Sequence, residues 1–259
     1  MRFESTLKKR LKEQEPVIGT WSVLPSAAVT NVLGSAGFDF VILDLEHGPA
    51  SLERVEDMVR AADSEQCTAL VRVPVNDESW ILRALETGAH GIVVPHISTS
   101  AEAEQAVKAI KYAPQGNRGM SPYTRSGGYV PGDPKLWTTE ANARTLCVLI
   151  VEGVEGLGNL AEICEVPGVD VVYLGIYDIS QSLGYPGEIS HPEVVSQVES
   201  CVEIIREKGL AAGCLVQNEA SMRVYLKKGF QFLAYAADCA LLHEVCRGVV
   251  SKFCSIRSE

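Results

Sequence analysis

The stretch Asp44-Leu45-Glu46-His47-Gly48-Pro49 puts two carboxylates and an imidazole within four consecutive residues. A carboxylate beside an imidazole fixes its tautomer and raises its basicity, as a general acid/base requires. Arg72 offers a planar set of donors matched to an oxyanion or a carboxylate. Glu152 and Asp178 are two further acids with no arginine close in sequence to compensate them. Two such carboxylates, if they converge, repel each other, and a divalent cation resolves the repulsion. Oxygen ligands that leave positions open for water suit Mg²⁺ or Mn²⁺, with Co²⁺ a further candidate, rather than a soft metal. A substrate with adjacent keto and carboxylate oxygens would chelate that ion, which would polarise the carbonyl and stabilise an enolate. Arg72 would hold the developing negative charge, and His47 would act as acid/base through a metal-bound water. Each residue also has a plainer reading. His47 reads as a satisfied histidine at a polar strand end, Glu152 as a cap on the next helix, and Asp178 as the N-cap of a turn around Ile179 and Ser180. Arg72 reads as the ion-pair partner of Asp44 or Asp77.

What would bring these residues together is a βα rhythm. Residues 38–43 form an apolar run that reads as a buried strand, stopped by Gly48-Pro49. Comparable runs lie at 16–21, 68–74, 91–96, 146–151, 169–175, 211–216 and 230–235. Helical patterns alternate with them at 27–37, 52–64, 79–86, 101–112, 156–164, 192–208, 219–228 and 240–253. Eight strands alternating with helices imply a parallel sheet closed into a (β/α)₈ TIM barrel, here one α/β domain over 1–259. Active sites of such barrels form at the C-terminal strand ends. Trp21 ends the first strand, Asp44, Glu46 and His47 the second, Arg72 the third and Glu152 the fifth, and Asp178 follows the sixth. Arg72 lies 25 residues after His47 and Asp178 lies 26 after Glu152, each near the roughly 30 residues of one βα unit. The rhythm breaks between 114 and 134, a Gly- and Pro-rich stretch carrying Arg118, Tyr123, Arg125 and Tyr129. A loop this long reads as a lid or a binding loop.

Composition removes other classes of function. The net charge of −10 and the lack of a basic run interleaved with aromatics argue against nucleic acid as a partner. No apolar span is long enough to cross a bilayer. Residues 1–14 carry Lys8, Lys9, Arg10 and Lys12 among Phe3, Leu7 and Leu11, and read as a surface helix rather than a signal peptide. None of the eight cysteines forms a C-x-x-C pair. Most lie in apolar periodic segments, so they read as buried thiols in a reducing cytoplasm and not as a zinc site.

The chain also resembles the HpcH/HpaI aldolases, metal-dependent class II pyruvate aldolases that include 2-keto-3-deoxy sugar acid and 2,4-dihydroxyhept-2-enedioate aldolases. The likeness rests on Gly19-Thr20-Trp21, Gly37-Phe38-Asp39-Phe40, Asp44-Leu45-Glu46-His47-Gly48-Pro49 and Val71-Arg72-Val73-Pro74. It continues through Gly88 to Pro95, Gly116-Asn117-Arg118-Gly119 and Gly168-Val169-Asp170. The resemblance implies cleavage of 4-hydroxy-2-oxo acids to pyruvate and an aldehyde. In it His47 is the base oriented by Asp44, Arg72 steadies the enolate, and Glu152 and Asp178 ligate the metal. Trp21, Ile150 and Tyr177 line the substrate pocket. It further implies a hexamer with the last helix exchanged between protomers. Three residues depart from the family pattern: Ile150 stands for a glutamine, Ile176 for a proline, and Tyr177 adds bulk beside the second ligand. Glu86 stands where aspartate is usual. The departures keep open a different outcome of the same chemistry, either oxaloacetate-type decarboxylation or carbon–carbon bond formation, and beyond these a non-catalytic barrel. Aldehyde selectivity is expected from the 114–134 loop and from the partner protomer.

Overall fold

The computed structural model describes residues 5–130 and 132–258. In chain order the elements are α1 (Leu7–Lys12), β1 (Val17–Ser22), α2 (Ala27–Ser35), β2 (Phe40–Asp44), α3 (Leu52–Ser64), β3 (Thr68–Arg72) and α4 (Glu78–Glu86). Then come β4 (Gly91–Val94), α5 (Ser100–Ile110), α6 (Pro134–Arg144), β5 (Leu146–Val151), α7 (Val154–Gly158), α8 (Leu160–Glu165) and β6 (Val171–Leu174). The chain finishes with α9 (Ile176–Ser182), α10 (Pro192–Glu207), β7 (Ala211–Val216), α11 (Glu219–Lys227), β8 (Phe232–Ala237) and α12 (Asp238–Arg257). Consecutive strands pair in parallel, and β8 returns to pair with β1, so the sheet closes as a (β/α)₈ barrel.

Two cores follow from the period-2 alternation of strand side chains. Phe40, Ile42, Leu70, Val93, Val148, Tyr173 and Phe232 fill the barrel. Val41, Leu43, Val71, Ile92 and Leu149 point outward against the helices. The helices bury matching stripes, as in α3, whose Val55, Met58, Val59 and Ala62 face the sheet below an N-cap at Ser51. Within the barrel Phe40 stacks on Phe232 with centroids 4.0 Å apart. Gly19 makes that possible, because a Cβ there would stand 2.3 Å from the Phe40 ring.

The N-terminal helix differs from the expected surface helix. Leu7 and Leu11 of α1 are buried in the barrel-interior cluster, and Lys8 Nζ reaches Asp170 Oδ2 at 2.9 Å. Residues 1–4 of the expected helix lie outside the described residues. Residues 134–144 form α6, a helix that the mixed polarity of its sequence concealed.

The 114–134 loop is not a lid over this chain's own barrel mouth. Its Arg118 pairs with Glu86 at the end of α4, at 3.0 Å, and its Arg125 pairs with Asp63 near the end of α3. Helices run back from the strand C-termini, so those helix ends lie at the opposite end of the barrel. Glu86 is held there too, away from the mouth.

Five of the eight cysteines are buried, as expected of most of them, while Cys239, Cys246 and Cys254 are exposed on α12. No described helix is long and apolar enough to cross a membrane. The tight contact at Gly19 predicts that Gly19→Ala destabilises the barrel by about 1–3 kcal/mol through overpacking against Phe40. Urea unfolding would check this, with a lower midpoint at unchanged slope as the expected result.

Candidate active site

The C-terminal strand ends form a cleft of about 500 Å³. Trp21, His47, Arg72, Ile150, Glu152, Tyr177 and Asp178 all line it. Asp44 does not; it lies buried beside it, 3% exposed. The barrel register accounts for the grouping, since Asp44 pairs directly with Arg72 across β2 and β3.

Asp44 binds the guanidinium with both oxygens. Arg72 Nε donates to Oδ1 at 2.8 Å and Nη2 to Oδ2 at 2.5 Å. Arg72 Nη1 meets Glu46 Oε2 at 2.7 Å, and the guanidinium carbon stands 4.4 Å from the centre of the Trp21 ring. The ion-pair reading of Arg72 toward Asp44 is therefore realised in the geometry. Asp77 is not its partner; it caps α4 by accepting from the Ser79 and Trp80 backbone.

Asp44 acts on His47 through the main chain rather than the ring. Its Oδ1 accepts from the backbone N–H of Glu46 at 2.9 Å and of His47 at 3.2 Å. This side-chain-to-backbone turn points the chain after β2 along the cleft wall. Gly48 completes it, because a Cβ there would lie 2.3 Å from the Asp44 carbonyl oxygen. With both Asp44 oxygens occupied, none of the hydrogen bonds among the described residues reaches the His47 ring, which lies exposed at the cleft.

Glu152 and Asp178 face one space. A Cβ placed on Gly175 would stand 3.1 Å from Glu152 Oε2 and 3.6 Å from Asp178 Oδ2. Glycine at 175 keeps that space clear. Glu152 caps no helix: the N-cap of α7 is Gly153. Asp178 sits in the first turn of α9, whose N-cap is Gly175. Burial pushes the Glu152 carboxyl above its ordinary value, the His96 imidazole opposes this, and the Asp178 and Glu46 charges reinforce it. A cation between the carboxylates would relieve that cost. Among the described residues no group of three or more His, Cys, Asp or Glu side chains is arranged to hold a metal ion. The two carboxylates fit a hard divalent ion that keeps its remaining positions for water and substrate oxygens.

His96 is a site residue that the sequence reading passed over. Its Nε2 lies 2.9 Å from Glu46 Oε1, and its Nδ1 contacts Glu152 Oε1. Its backbone N–H also donates to Glu152 Oε1 at 3.2 Å. A φ of 57° lets the ring and the main chain both turn to the same carboxylate. His96 closes the fourth predicted strand, so the strand-end rule that found Arg72 would have found it. Tyr173 was missed as well. Its hydroxyl accepts from Trp21 Nε1 at 3.1 Å, and burial raises its pKa. Gln217, just past β7, and Glu244, on α12, complete the wall.

Comparison with known proteins shows the family to which the chain belongs. The profile of the HpcH/HpaI aldolase/citrate lyase family matches residues 17–244. The chain is 34% identical over 251 residues to a hydroxypyruvate/pyruvate aldolase of Roseobacter denitrificans, covering 96% of this chain and 97% of that one. It is 34% identical over 255 residues to a 4-hydroxy-2-oxo-heptane-1,7-dioate aldolase of Escherichia coli, covering 97% and 95%. A crystal structure of an HpcH/HpaI aldolase/citrate lyase family protein from Burkholderia cenocepacia superposes with a TM-score of 0.90 at 29% identity, covering 96% and 99%. A match across nearly the whole barrel, strand ends included, makes this chain a member of the HpcH/HpaI aldolase/citrate lyase family.

Proposed function

We propose that the protein is a carbon–carbon lyase, a class II aldolase that cleaves 4-hydroxy-2-oxo acids to pyruvate and an aldehyde. The observation that supports this reading is the meeting of His47, Arg72, Glu152 and Asp178 on the walls of one cleft. Glu152 and Asp178 would hold a divalent cation, Mg²⁺ or Mn²⁺, which would supply Lewis-acid polarisation of the ketoacid carbonyl. The chain's own groups do the rest. Arg72, fixed by Asp44 and Glu46, presents positive charge where the enolate oxygen develops its negative charge. His47 takes the proton of the 4-hydroxyl. The O–H electrons then form the aldehyde carbonyl, and the C3–C4 bonding pair becomes the pyruvate enolate. Return of a proton to C3 completes pyruvate. Trp21, Ile150 and Tyr173 give the reacting end an apolar wall that limits water. Tyr177 is tied to Gln217, its hydroxyl donating to Oε1 at 2.8 Å, so its ring borders the cleft.

The working form is a homo-oligomer built through α12. Leu242, Val245, Val249, Phe253 and Ile256 recur at the spacing of one helix face, and each is more than half exposed. Of this 20-residue helix Asp238 alone is buried, its carboxylate accepting from Ser22 Oγ at 2.9 Å and from the Val23 N–H at 3.1 Å. The rest of α12 offers an apolar stripe to a second copy of the chain, as in the exchanged helix of the resemblance. Eight free thiols fit a reducing compartment such as the cytoplasm.

Pyruvate release from a panel of 4-hydroxy-2-oxo acids tests the reaction. Turnover is expected with added Mg²⁺ or Mn²⁺ and is expected to stop with EDTA. Release that EDTA leaves untouched would overturn the metal role. His47→Ala should lower kcat by about 10²–10⁴. Arg72→Lys should be similarly severe, because a point charge does not replace a planar fork shared by two carboxylates. Near-native turnover of either variant would remove that residue from the mechanism. For the assembly, Val249→Glu with Phe253→Glu should reduce the mass measured by light scattering to a smaller species. An unchanged mass would show that α12 is not the contact.

A further inference from the structure

We infer that His96 is a positioning residue, which occupies one oxygen of Glu152 so that the other alone is offered to the divalent cation. The inference rests on the aldolase reading, with Glu152 and Asp178 as the metal ligands. His96 is not among the described residues that line the cleft, so it acts through Glu152. Oε1 of Glu152 meets the His96 ring at Nδ1 and accepts from the His96 backbone N–H at 3.2 Å. Oε2 of the same carboxylate faces the clear space beside Gly175, which Asp178 Oδ2 also faces. The two oxygens of Glu152 are thus divided between two tasks.

The far side of the ring fixes its orientation. Nε2 stands 2.9 Å from Glu46 Oε1, and Glu46 Oε2 meets Arg72 Nη1 at 2.7 Å. Both ring nitrogens therefore meet carboxylates, so the ring orients a ligand rather than serving as one. It cannot turn without giving up a partner. The main chain agrees, because a φ of 57° at a non-glycine residue is uncommon and persists where the surroundings hold it. The consequence lies in how many oxygens the cation meets. One oxygen from each acid leaves most positions of an octahedral ion open, enough for both ketoacid oxygens and for water. With Oε1 released, Glu152 could bind through both oxygens. That would take up a position the substrate needs and would suit Ca²⁺, which accepts more oxygens in a looser geometry than Mg²⁺.

The test measures metal binding to the full-length protein after it is stripped with EDTA and dialysed. Electron paramagnetic resonance reports bound Mn²⁺, and Ca²⁺ is measured by competition. His96→Gly removes the ring, keeps the backbone N–H and accepts the positive φ without strain, so the strand end is preserved. It should bind Mn²⁺ about 10–100-fold more weakly than the native protein. Its preference for Mn²⁺ over Ca²⁺ should fall by about tenfold. His96→Asn also tolerates the positive φ and brings an amide N–H to about the place of Nδ1, so it should recover part of the lost Mn²⁺ affinity. An unchanged affinity in His96→Gly, an unchanged preference for Mn²⁺ over Ca²⁺, or no recovery in His96→Asn would each overturn the inference and leave the aldolase reading standing. Native Mn²⁺ binding that Glu152→Gln leaves unaltered would instead overturn the assignment of the ligands, and this inference with it.

Discussion

The site depends on one guanidinium held between two carboxylates. Arg72 is nearly buried, and a buried cation is tolerated only when it is paired and its donors are satisfied. Asp44 takes two of its donors and Glu46 a third. The pairing fixes more than the arginine. It sets Asp44 so that its free lone pairs hold the turn carrying His47, and it sets Glu46 so that its other oxygen meets His96. His96 in turn reaches Glu152. One line of polar contacts thus runs around the rim from β2 to β5. Counted along that rim, Asp44, Glu46, Glu152 and Asp178 outnumber the single arginine. The surplus is what a divalent cation would neutralise.

That rim exists only because the barrel closes beneath it. The interior is packed with large side chains from alternate strands, and glycines at 19, 91 and 213 make room for them. Closure of β8 onto β1 also brings the start of α12 beside the end of β1, where the buried Asp238 carboxylate holds the two together. This is how a residue near the C-terminus, Glu244, comes to share a wall with Trp21. The wall nearest the reacting groups is apolar and enclosed, whereas the far wall is open and polar.

The Gly- and Pro-rich loop shows how length and composition mislead about place. Its arginines answer acids at the helix C-termini, Glu86 and Asp63, and so anchor it at the end of the barrel remote from this chain's own cleft. Any part it plays in choosing an aldehyde would have to be played in a neighbouring subunit. The exposed stripe of α12 offers a route to such a neighbour. Family membership, by contrast, needs no assembly, because its markers are strand ends and turns within one chain.

Most of the barrel was legible without coordinates. The eight strands are short apolar runs bounded by turn residues, and hydrophobic periodicity alone marks them. The strand-end rule then gathered Trp21, His47, Arg72, Glu152 and Asp178, and the turn after β2 follows locally from Asp44 and Gly48. What the linear chain left open depends on distance in space. Whether Asp44 would serve the imidazole or the guanidinium was undecided by order along the chain, since both lie near it; the β2–β3 register decided for Arg72. His96 looked like an ordinary strand end until its left-handed backbone turned it toward two acids from other strands. The α6 helix, with no clear apolar face, carried no periodic signal, and the burial of α1 became visible only with the barrel floor it covers. Local pattern determined which elements form and which residues end them. Only the closed tertiary structure decided which charges meet, because pairing energies depend on separations of a few ångströms that sequence order does not encode.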